Sequence, residues 1–295
     1  MAEITPDIED SLTHKVVKDN MLIRKAQTDL TRNEQKLVNY MVSMIKPTDE
    51  DFKTYQIRAV DFAKLVGIDI KHIYSDFKEM VKSLEKKSFW FENDEKITRI
   101  SWIIKPEYIK KSGYISLRLD PDIKKYLIGL KKDFTEYELY NVLSLKTKYA
   151  ITIYELLKSY QYKSKAEIPI EEFKMHIGVG RDSEDGKDPY KNFGLFRKKI
   201  LDKALDDINL NTDLDISYKC LDSHKKEMKS LQGRKVYYLK FIVKAKETME
   251  TFEVYQKTKE RVISTDTDQV PHQLSFDTDN DTGDLYDDTT NQKVN

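Results

Sequence analysis

The stretch YKNFGLFRKKILDKALDDI, Tyr190 to Ile208, predicts a helix whose charges run against the helix dipole. Six apolar residues recur at helical spacing and form a face for the core: Phe193, Ile200, Leu201, Ala204, Leu205 and Ile208. Basic residues crowd the first half of the helix, whereas Asp202, Asp206 and Asp207 lie in the second. Because a misplaced exposed charge costs roughly 0.3–1 kcal/mol, a polyanion bound at the basic end would explain this order. The alternative is a solvated face with local pairs such as Lys198–Asp202.

The elements around this helix follow the order of a winged helix-turn-helix. They are predicted as a long helix over Glu136–Tyr162, a strand at Glu167–Pro169, a short helix over Ile170–Val179, the helix just described, and strands at Leu214–Cys220 and Val236–Val243. The connection between the last two strands is long and basic, as in a wing that contacts a nucleic-acid backbone.

The first half of the chain repeats this order. Its predicted elements are helices over Thr31–Ile45, Val60–Ile68 and Ile70–Lys87, and strands at Tyr55–Arg58, Phe89–Phe91, Lys96–Ile104 and Tyr114–Leu119. Thr31 and Glu34 have the spacing of a capping box, and Gly67 is placed to end the short helix. The motif F-x-x-x-[VI]-G ends at Gly67 and again at Gly178, 111 residues later. We therefore predict an α+β fold of two tandem winged helix-turn-helix domains with a disordered acidic C-terminal tail.

The distribution of charge supports this division. Residues 15–246 carry 47 basic and 35 acidic residues, a net charge of +12, although the whole chain is neutral. We expect a disordered acidic N-terminus at 1–14, a first winged-helix domain at 15–133, a second at 134–246, and a disordered acidic tail at 247–295. A basic body between acidic ends favours a polyanionic partner, and the alternative is a Lys-rich solvated surface.

The candidate DNA-binding residues lie at the starts of the second helices and on the second wing. In the second domain they are Lys191, Asn192, Arg197, Lys198 and Lys199 on the helix, and Lys225, Lys226, Lys229, Arg234 and Lys235 on the wing. Helix residues would read bases in the major groove and wing residues would position the domain on phosphates. Arg197 lies close to the apolar face, so it either reaches a phosphate or pairs locally. The first domain offers Lys71, His72, Ser75 and Lys78, either for a weaker DNA contact or at a dimer interface.

Other chemistry finds little support. No two of the five histidines are near each other, and the single Cys220 fits a reducing cytosol. GVGRDSEDGKD, Gly178 to Asp188, has five residues where a phosphate-binding loop needs four. The chain has no apolar run of about 18 residues, and its acidic start MAEITPDIED has no apolar segment, so we expect neither a membrane span nor a signal peptide. We expect a cytoplasmic protein with no enzymatic activity, no cofactor, no metal and no membrane partner.

Four stretches resemble the initiator replication (Rep) proteins of theta-replicating, iteron-containing bacterial plasmids. They are VVKDNMLIRKAQTDLTRNEQKLVNYMVSMI, LKTKYAITIYELLKSY, FRKKILDKALDDINLNTDLDISY and GRKVYYLKF, and the resemblance covers about residues 15–245. It implies that the second domain is the principal reader of repeated double-stranded origin DNA. It also implies that the first domain mediates a homodimer in equilibrium with a monomer, with dimers repressing the protein's own gene and monomers initiating. Host replication proteins, namely a helicase, an initiator and the sliding clamp, are the implied partners.

Two other functions remain as alternatives. A dimeric winged-helix transcriptional regulator would share the fold and the basic surfaces. A rolling-circle nicking endonuclease is disfavoured, because such enzymes use two histidines separated by one residue to hold a metal. In the acidic tail, QLSF at Gln273–Phe276 resembles the Gln-Leu-Ser-Leu-Phe motif that docks on bacterial sliding clamps, one residue short, and the alternative is a solvated spacer.

Overall fold

The computed structural model describes residues 3–4, 8–26, 29–92, 96–110, 112–179, 190–231 and 234–264. Within these ranges the chain forms two winged helix-turn-helix units in tandem, and a C-terminal helix returns to the first of them. The predicted α+β fold class is confirmed.

The first domain consists of short helices packed on a mixed sheet. Its elements are β1 (Glu3–Ile4), α1 (Ile8–Ser11), β2 (Lys15–Asp19), α2 (Asn20–Lys25), α3 (Arg32–Ser43), β3 (Tyr55–Arg58), α4 (Ala59–Val66), α5 (Ile73–Lys86), β4 (Ser88–Glu92), β5 (Ile97–Ser101), β6 (Ile103–Ile109) and β7 (Tyr114–Leu119). Strands β1, β3, β7 and β6 form one sheet in that order, and β4 and β5 form a separate two-stranded ribbon.

Local sequence signals set the helix ends of this domain. The Thr31 hydroxyl accepts a hydrogen bond from the Glu34 amide, and the Glu34 carboxylate accepts one from the Thr31 amide, which is the predicted capping box. Gly67 ends α4 with φ +69°, in the left-handed region that glycine adopts without strain. The turn after Gly67 leads into α5, so α4 and α5 form the helix-turn-helix pair.

The second domain repeats the pattern with longer wing strands. Its elements are β8 (Phe134–Glu138), α6 (Leu139–Ser144), α7 (Lys148–Lys158), β9 (Lys165–Pro169), α8 (Ile170–His176), α9 (Phe193–Phe196), a π-helical turn at Arg197–Leu201, α10 (Asp202–Asn211), β10 (Leu214–Leu221) and β11 (Tyr238–Ala245). Helix α9, the π turn and α10 run continuously, and we call them the recognition helix. Strands β10, β11 and β9 form an antiparallel sheet in that order.

The single long helix expected over Glu136–Tyr162 is wrong. Residues 134–138 form β8, the first element after the boundary expected at 133, and this strand pairs with β2 of the first domain. Burial alternates along β8, with Thr135 and Tyr137 buried. This short pattern with a period of two was missed because the residues that follow it have a strong helical period. Leu145 is extended after α6, and the Thr147 hydroxyl caps α7 by accepting a hydrogen bond from the Ala150 amide at 3.0 Å.

The expectation of disorder at both acidic ends is also wrong within the described residues. Strand β1 pairs in parallel with β3, and Ser11 and Leu12 are fully buried. Residues Thr248–Ser264 form helix α11, which packs on α1, α4 and α6. Its buried stripe is Val254, Thr258 and Val262, and the threonine in the middle obscured the helical period. Residues 265–295, which include the QLSF segment, lie outside the described residues.

A buried ion pair joins the two domains. Lys18 of β2 donates to the Glu155 carboxylate of α7 at 2.7 Å, and the side chains are 6% and 17% exposed. The Tyr137 hydroxyl also donates to Glu155, and burial raises the pKa of that phenol well above its ordinary value. Glu155 is therefore held by a cation from the first domain and by a phenol hydroxyl of its own domain.

Candidate DNA-binding interface

The start of the recognition helix presents exposed basic side chains. Asn192 caps the helix, because its Oδ1 accepts a hydrogen bond from the Leu195 amide at 3.1 Å. Lys191 precedes this cap and is exposed, and so are Lys198 and Lys199 in the π turn. The capping role was not foreseen for Asn192, and it leaves the side-chain NH2 group as the donor toward a ligand.

Arg197 follows the local-pair alternative. Its Nε lies 3.1 Å from Asp202 Oδ2, and the other carboxylate oxygen accepts a hydrogen bond from the Tyr218 hydroxyl at 2.7 Å. The hydrogen bond to Asp202 raises the pKa of the Arg197 guanidinium further above its ordinary value. The Asp202 carboxylate is therefore bound by Arg197 and by Tyr218 of β10. These contacts replace the Lys198–Asp202 pair that was considered from the sequence.

A buried lysine fixes the approach to the helix, and sequence reasoning missed it. Lys174 of α8 is 4% exposed, its Nζ donates to the Tyr190 carbonyl at 2.7 Å, and it lies over the Phe196 ring at 5.4 Å. Phe196 is fully buried, although it was left out of the predicted core face. The available signal was the position of Lys174 one turn after Ile170 and next to Phe173, on the apolar side of α8.

The first part of the wing is a tight turn. The Asp222 carboxylate accepts hydrogen bonds from the backbone amides of His224 and Lys226, and these bonds lower the pKa of Asp222. Lys225 has φ +61°, and its Nζ lies 2.8 Å from Glu167 of β9. Lys225 is thus tied back to its own sheet, whereas Lys226 and Lys229 are exposed.

The returning part of the wing meets the helix start in one cleft. This cleft has a volume of about 590 Å³. The helix contributes Lys191, Asn192 and Arg197 to its lining, and the wing contributes Arg234 and Lys235. Lys198, Lys199, Lys225, Lys226 and Lys229 lie outside it. The structure thus groups half of the ten residues predicted for the second domain around one concavity, which is a geometry suited to an anionic ligand.

The predicted residues of the first domain lie at the start of α5. Lys71, His72 and Ser75 are exposed, and the Ser75 hydroxyl donates to the His72 carbonyl within the first turn. Lys78 is half-buried and lies over the Tyr108 ring at 5.8 Å, so it is held against β6. The four residues lie along one helix end but include only two exposed bases, which is a weaker basic surface than that of the second domain.

An apolar surface on the first domain escaped the sequence analysis. Trp90 of β4 and Ile97 of β5 are 62% and 61% exposed, on a two-stranded ribbon outside the main sheet. Large exposed apolar side chains on one hairpin are typical of an interaction surface. The apolar and aromatic run Phe89–Phe91 predicted a strand, but it did not indicate which face of that strand would be exposed to solvent.

The described residues give no metal centre to this interface. Among them, no group of three or more His, Cys, Asp or Glu side chains could hold a metal ion. Cys220 is buried, and burial raises its pKa to about 11, so its thiol stays protonated at neutral pH. In the same part of the chain, no helix has the length and apolarity needed to cross a membrane. Residues 180–188 of the phosphate-loop look-alike lie outside the described ranges.

Two winged-helix domains, one with a basic recognition helix and wing that share a cleft, define a DNA-binding protein of the tandem winged-helix class. Residues 15–158 match the family model described as "Initiator Replication protein, WH1", and residues 169–243 match the one described as "Initiator Rep protein, WH2". The chain belongs to the initiator replication protein family, as the resemblance implied.

Individual proteins agree with this family. A "PI protein" of Escherichia coli is 29% identical over 219 residues, which cover 64% of this chain and 68% of the relative. A "Replication initiation protein" of Escherichia coli is 26% identical over 201 residues, covering 64% of this chain but only 60% of the relative. A crystal structure of "Pi initiator protein in complex with iteron DNA" superposes with a TM-score of 0.63 at 23% identity, over 80% of this chain and 99% of that one. At that identity the likeness concerns the fold.

Proposed function

We propose that this protein initiates plasmid replication by binding repeated origin sequences through its second domain. The observation that carries the proposal is the cleft in which Lys191, Asn192, Arg234 and Lys235 converge from the recognition helix and the wing. The proposal is supported by the family of the chain and by a structural neighbour whose title names iteron DNA. Because its target is plasmid DNA, we place the protein in the cytoplasm.

The two parts of the cleft have different roles in this proposal. The helix start enters the major groove, where the Asn192 amide and the lysines donate to base edges and to the flanking phosphates. The wing lies along the adjacent backbone and sets the register without reading sequence. Arg197 does not need to contact DNA, since its pair with Asp202 holds the helix to β10.

The first domain serves assembly and a secondary DNA contact. The exposed Trp90 and Ile97 form the apolar part of a homodimer face, and Lys71 and His72 contact the backbone when the protein binds as a monomer. A dimer of this kind binds inverted half-sites and represses the protein's own gene, while monomers occupy the repeats. Host helicase, initiator and clamp proteins join the bound monomers.

Origin opening in this proposal needs no catalysis by the chain. Binding to successive repeats bends the DNA, and protein contacts compensate the deformation energy beside a flexible AT-rich segment. The metal-dependent nicking alternative predicts that the purified protein cleaves supercoiled plasmid with Mg²⁺ or Mn²⁺. If such cleavage is observed and disappears in a single Tyr→Phe variant, the nicking endonuclease replaces the proposal of opening by binding alone.

Footprinting on the plasmid's origin region tests the proposal. Purified protein is titrated onto the origin fragment, and a fragment with the same base composition in shuffled order serves as control. We expect protection of directly repeated segments at concentrations at which the shuffled fragment is bare. Equal protection of both fragments would remove sequence recognition, and protection of a lone palindrome would favour a transcriptional regulator.

A further inference from the structure

A second basic cavity lies away from the DNA-reading cleft. It has a volume of about 310 Å³ and is bounded by residues of α3, α4, α10 and α11 and by the segment after α6. Its lining includes five cationic side chains, Arg32, Lys36, Lys146, Lys257 and Arg261. None of the described residues that line it is acidic.

The cations are arranged by depth. Lys36 forms the floor, at 1% exposure, and its Nζ donates to the Leu143 carbonyl at 2.6 Å. Arg261 is half-buried, and its Nη1 lies 3.3 Å from the same Leu143 carbonyl. A shared acceptor holds these two cations close together. Lys146 and Lys257 are exposed and stand at the rim.

The C-terminal ends of two helices compensate part of this positive charge. Leu143 lies in the last turn of α6, and Leu65, whose carbonyl accepts from Arg261 Nη2 at 3.1 Å, lies in the last turn of α4. Each helix end supplies about half a negative charge. The nearby Asp207, which accepts a hydrogen bond from the Lys146 amide at 2.8 Å, supplies one more. The described lining itself contributes no carboxylate to its five cationic side chains.

The proximity of these buried and half-buried cations has a cost in the protein alone. Burial lowers the pKa of Lys36 well below its ordinary value, and repulsion from Arg261 and Arg32 lowers it further, while Asp207 acts in the opposite direction. Burial and Arg32 also lower the pKa of Arg261. Cations that repel each other in a partly dry cavity are stabilised when an anion enters between them.

We infer that this cavity binds a phosphate group between the Arg32 and Arg261 guanidiniums and the rim lysines Lys146 and Lys257. A phosphate fits because it carries up to two negative charges and because guanidinium groups donate to its oxygens in pairs. The site is distinct from the DNA-reading cleft: Asn211 in its lining ends the recognition helix that Asn192 begins, about 28 Å away at 1.5 Å per residue. The phosphate comes either from a small phosphate anion or from the backbone of DNA that passes the seam between the domains.

The small-anion source is tested on the full-length protein without DNA. Thermal unfolding is followed in inorganic phosphate and in pyrophosphate, against chloride at matched ionic strength. The test variant is Lys146→Gln with Lys257→Gln, and the control is Lys165→Gln with Lys244→Gln, two exposed lysines that do not line the cavity. A saturable rise in Tm in wild type and control, absent in the test variant, identifies a small phosphate anion as ligand.

The DNA source is tested with the same variants and rests on the proposed function. If backbone phosphates occupy the cavity, the slope of log K for origin DNA against log salt falls by about one to two units in the test variant and stays unchanged in the control. Should neither the phosphate-dependent Tm nor the slope distinguish test from control, the inference is overturned, and the cations serve only as helix caps. A protein that bound no DNA would refute the proposed function, and the phosphate titration would then decide the inference alone.

Discussion

Replacing Lys191 and Lys198 with alanine should weaken origin binding in a manner that depends on salt. Both side chains are exposed at the start of the recognition helix. If each neutralises one phosphate, the slope of log K against log salt becomes shallower by about 1.8 units, at about 0.9 per contact. The ratio of wild-type to variant affinity should therefore shrink about 12-fold between 50 and 200 mM salt. Fluorescence anisotropy with a labelled repeat, measured across that range, gives both slopes.

Two controls separate this result from misfolding. The control variant, Lys165→Ala with Lys244→Ala, removes the same number of charges. Lys165 pairs with Ile242, at the end of the sheet opposite to Leu221, where the wing begins. The salt slope of this control should match that of wild type. The Lys191 change also relieves unfavourable interaction with the helix dipole, by about 0.3–1 kcal/mol, so the test variant should be no less stable than wild type. Parallel slopes for test variant and wild type would refute the placement of DNA at this helix end.

Three further outcomes follow from contacts outside the cleft. Lys18→Met leaves Glu155 in the domain seam without its cation and should cost about 3–5 kcal/mol in urea unfolding at neutral pH, and a loss below about 1 kcal/mol would contradict a buried role. The pKa of Lys36 is lowered in the folded state, so the unfolded chain binds more protons, and the free energy of unfolding should rise as the pH approaches the ordinary lysine pKa of 10.5. Lys36→Met should flatten that rise. Parallel pH profiles for wild type and variant would contradict the lowered pKa of Lys36. Deleting residues 265–295 should leave repeat affinity and Tm unchanged, whereas deletion from 248 removes α11 and should lower Tm by several degrees; equal Tm values would mean that α11 does not stabilise the fold.

The element order could be predicted from the sequence because its signals are local. The Thr31–Glu34 capping box and the glycines that end the short helices lie within a few residues of the structure they specify. The apolar face of the recognition helix could also be predicted, because its helical period lies within one continuous segment of the sequence. Each of these features needed no knowledge of distant partners.

The features that were missed depend on distant partners. Strand β8 exists because β2, more than a hundred residues earlier, offers an edge to pair with. Lys174 is buried where its Nζ donates to the Tyr190 carbonyl, 16 residues later in the chain. The second basic cavity joins residues of α3 and α11, whose proximity follows from the return of the chain after the second wing. The role of the candidate DNA-binding residues stays a prediction, and the local ion pairs of Arg197 and Lys225 could be found only from the structure.

The charge order of the recognition helix is stabilised from outside the helix. Asp202, at the start of α10, is bound by Arg197 on one side and by the Tyr218 hydroxyl on the other, so one acid holds the basic turn against β10. This contact compensates locally for cations near a helix N-terminus, while Lys191, Lys198 and Lys199 remain exposed. A helix optimised for stability alone would place acids where these lysines lie. The arrangement therefore retains a small destabilisation in the free protein. If DNA binds at this helix start as proposed, its phosphates would remove that destabilisation, and the lysines would contribute more to the complex than to the free protein.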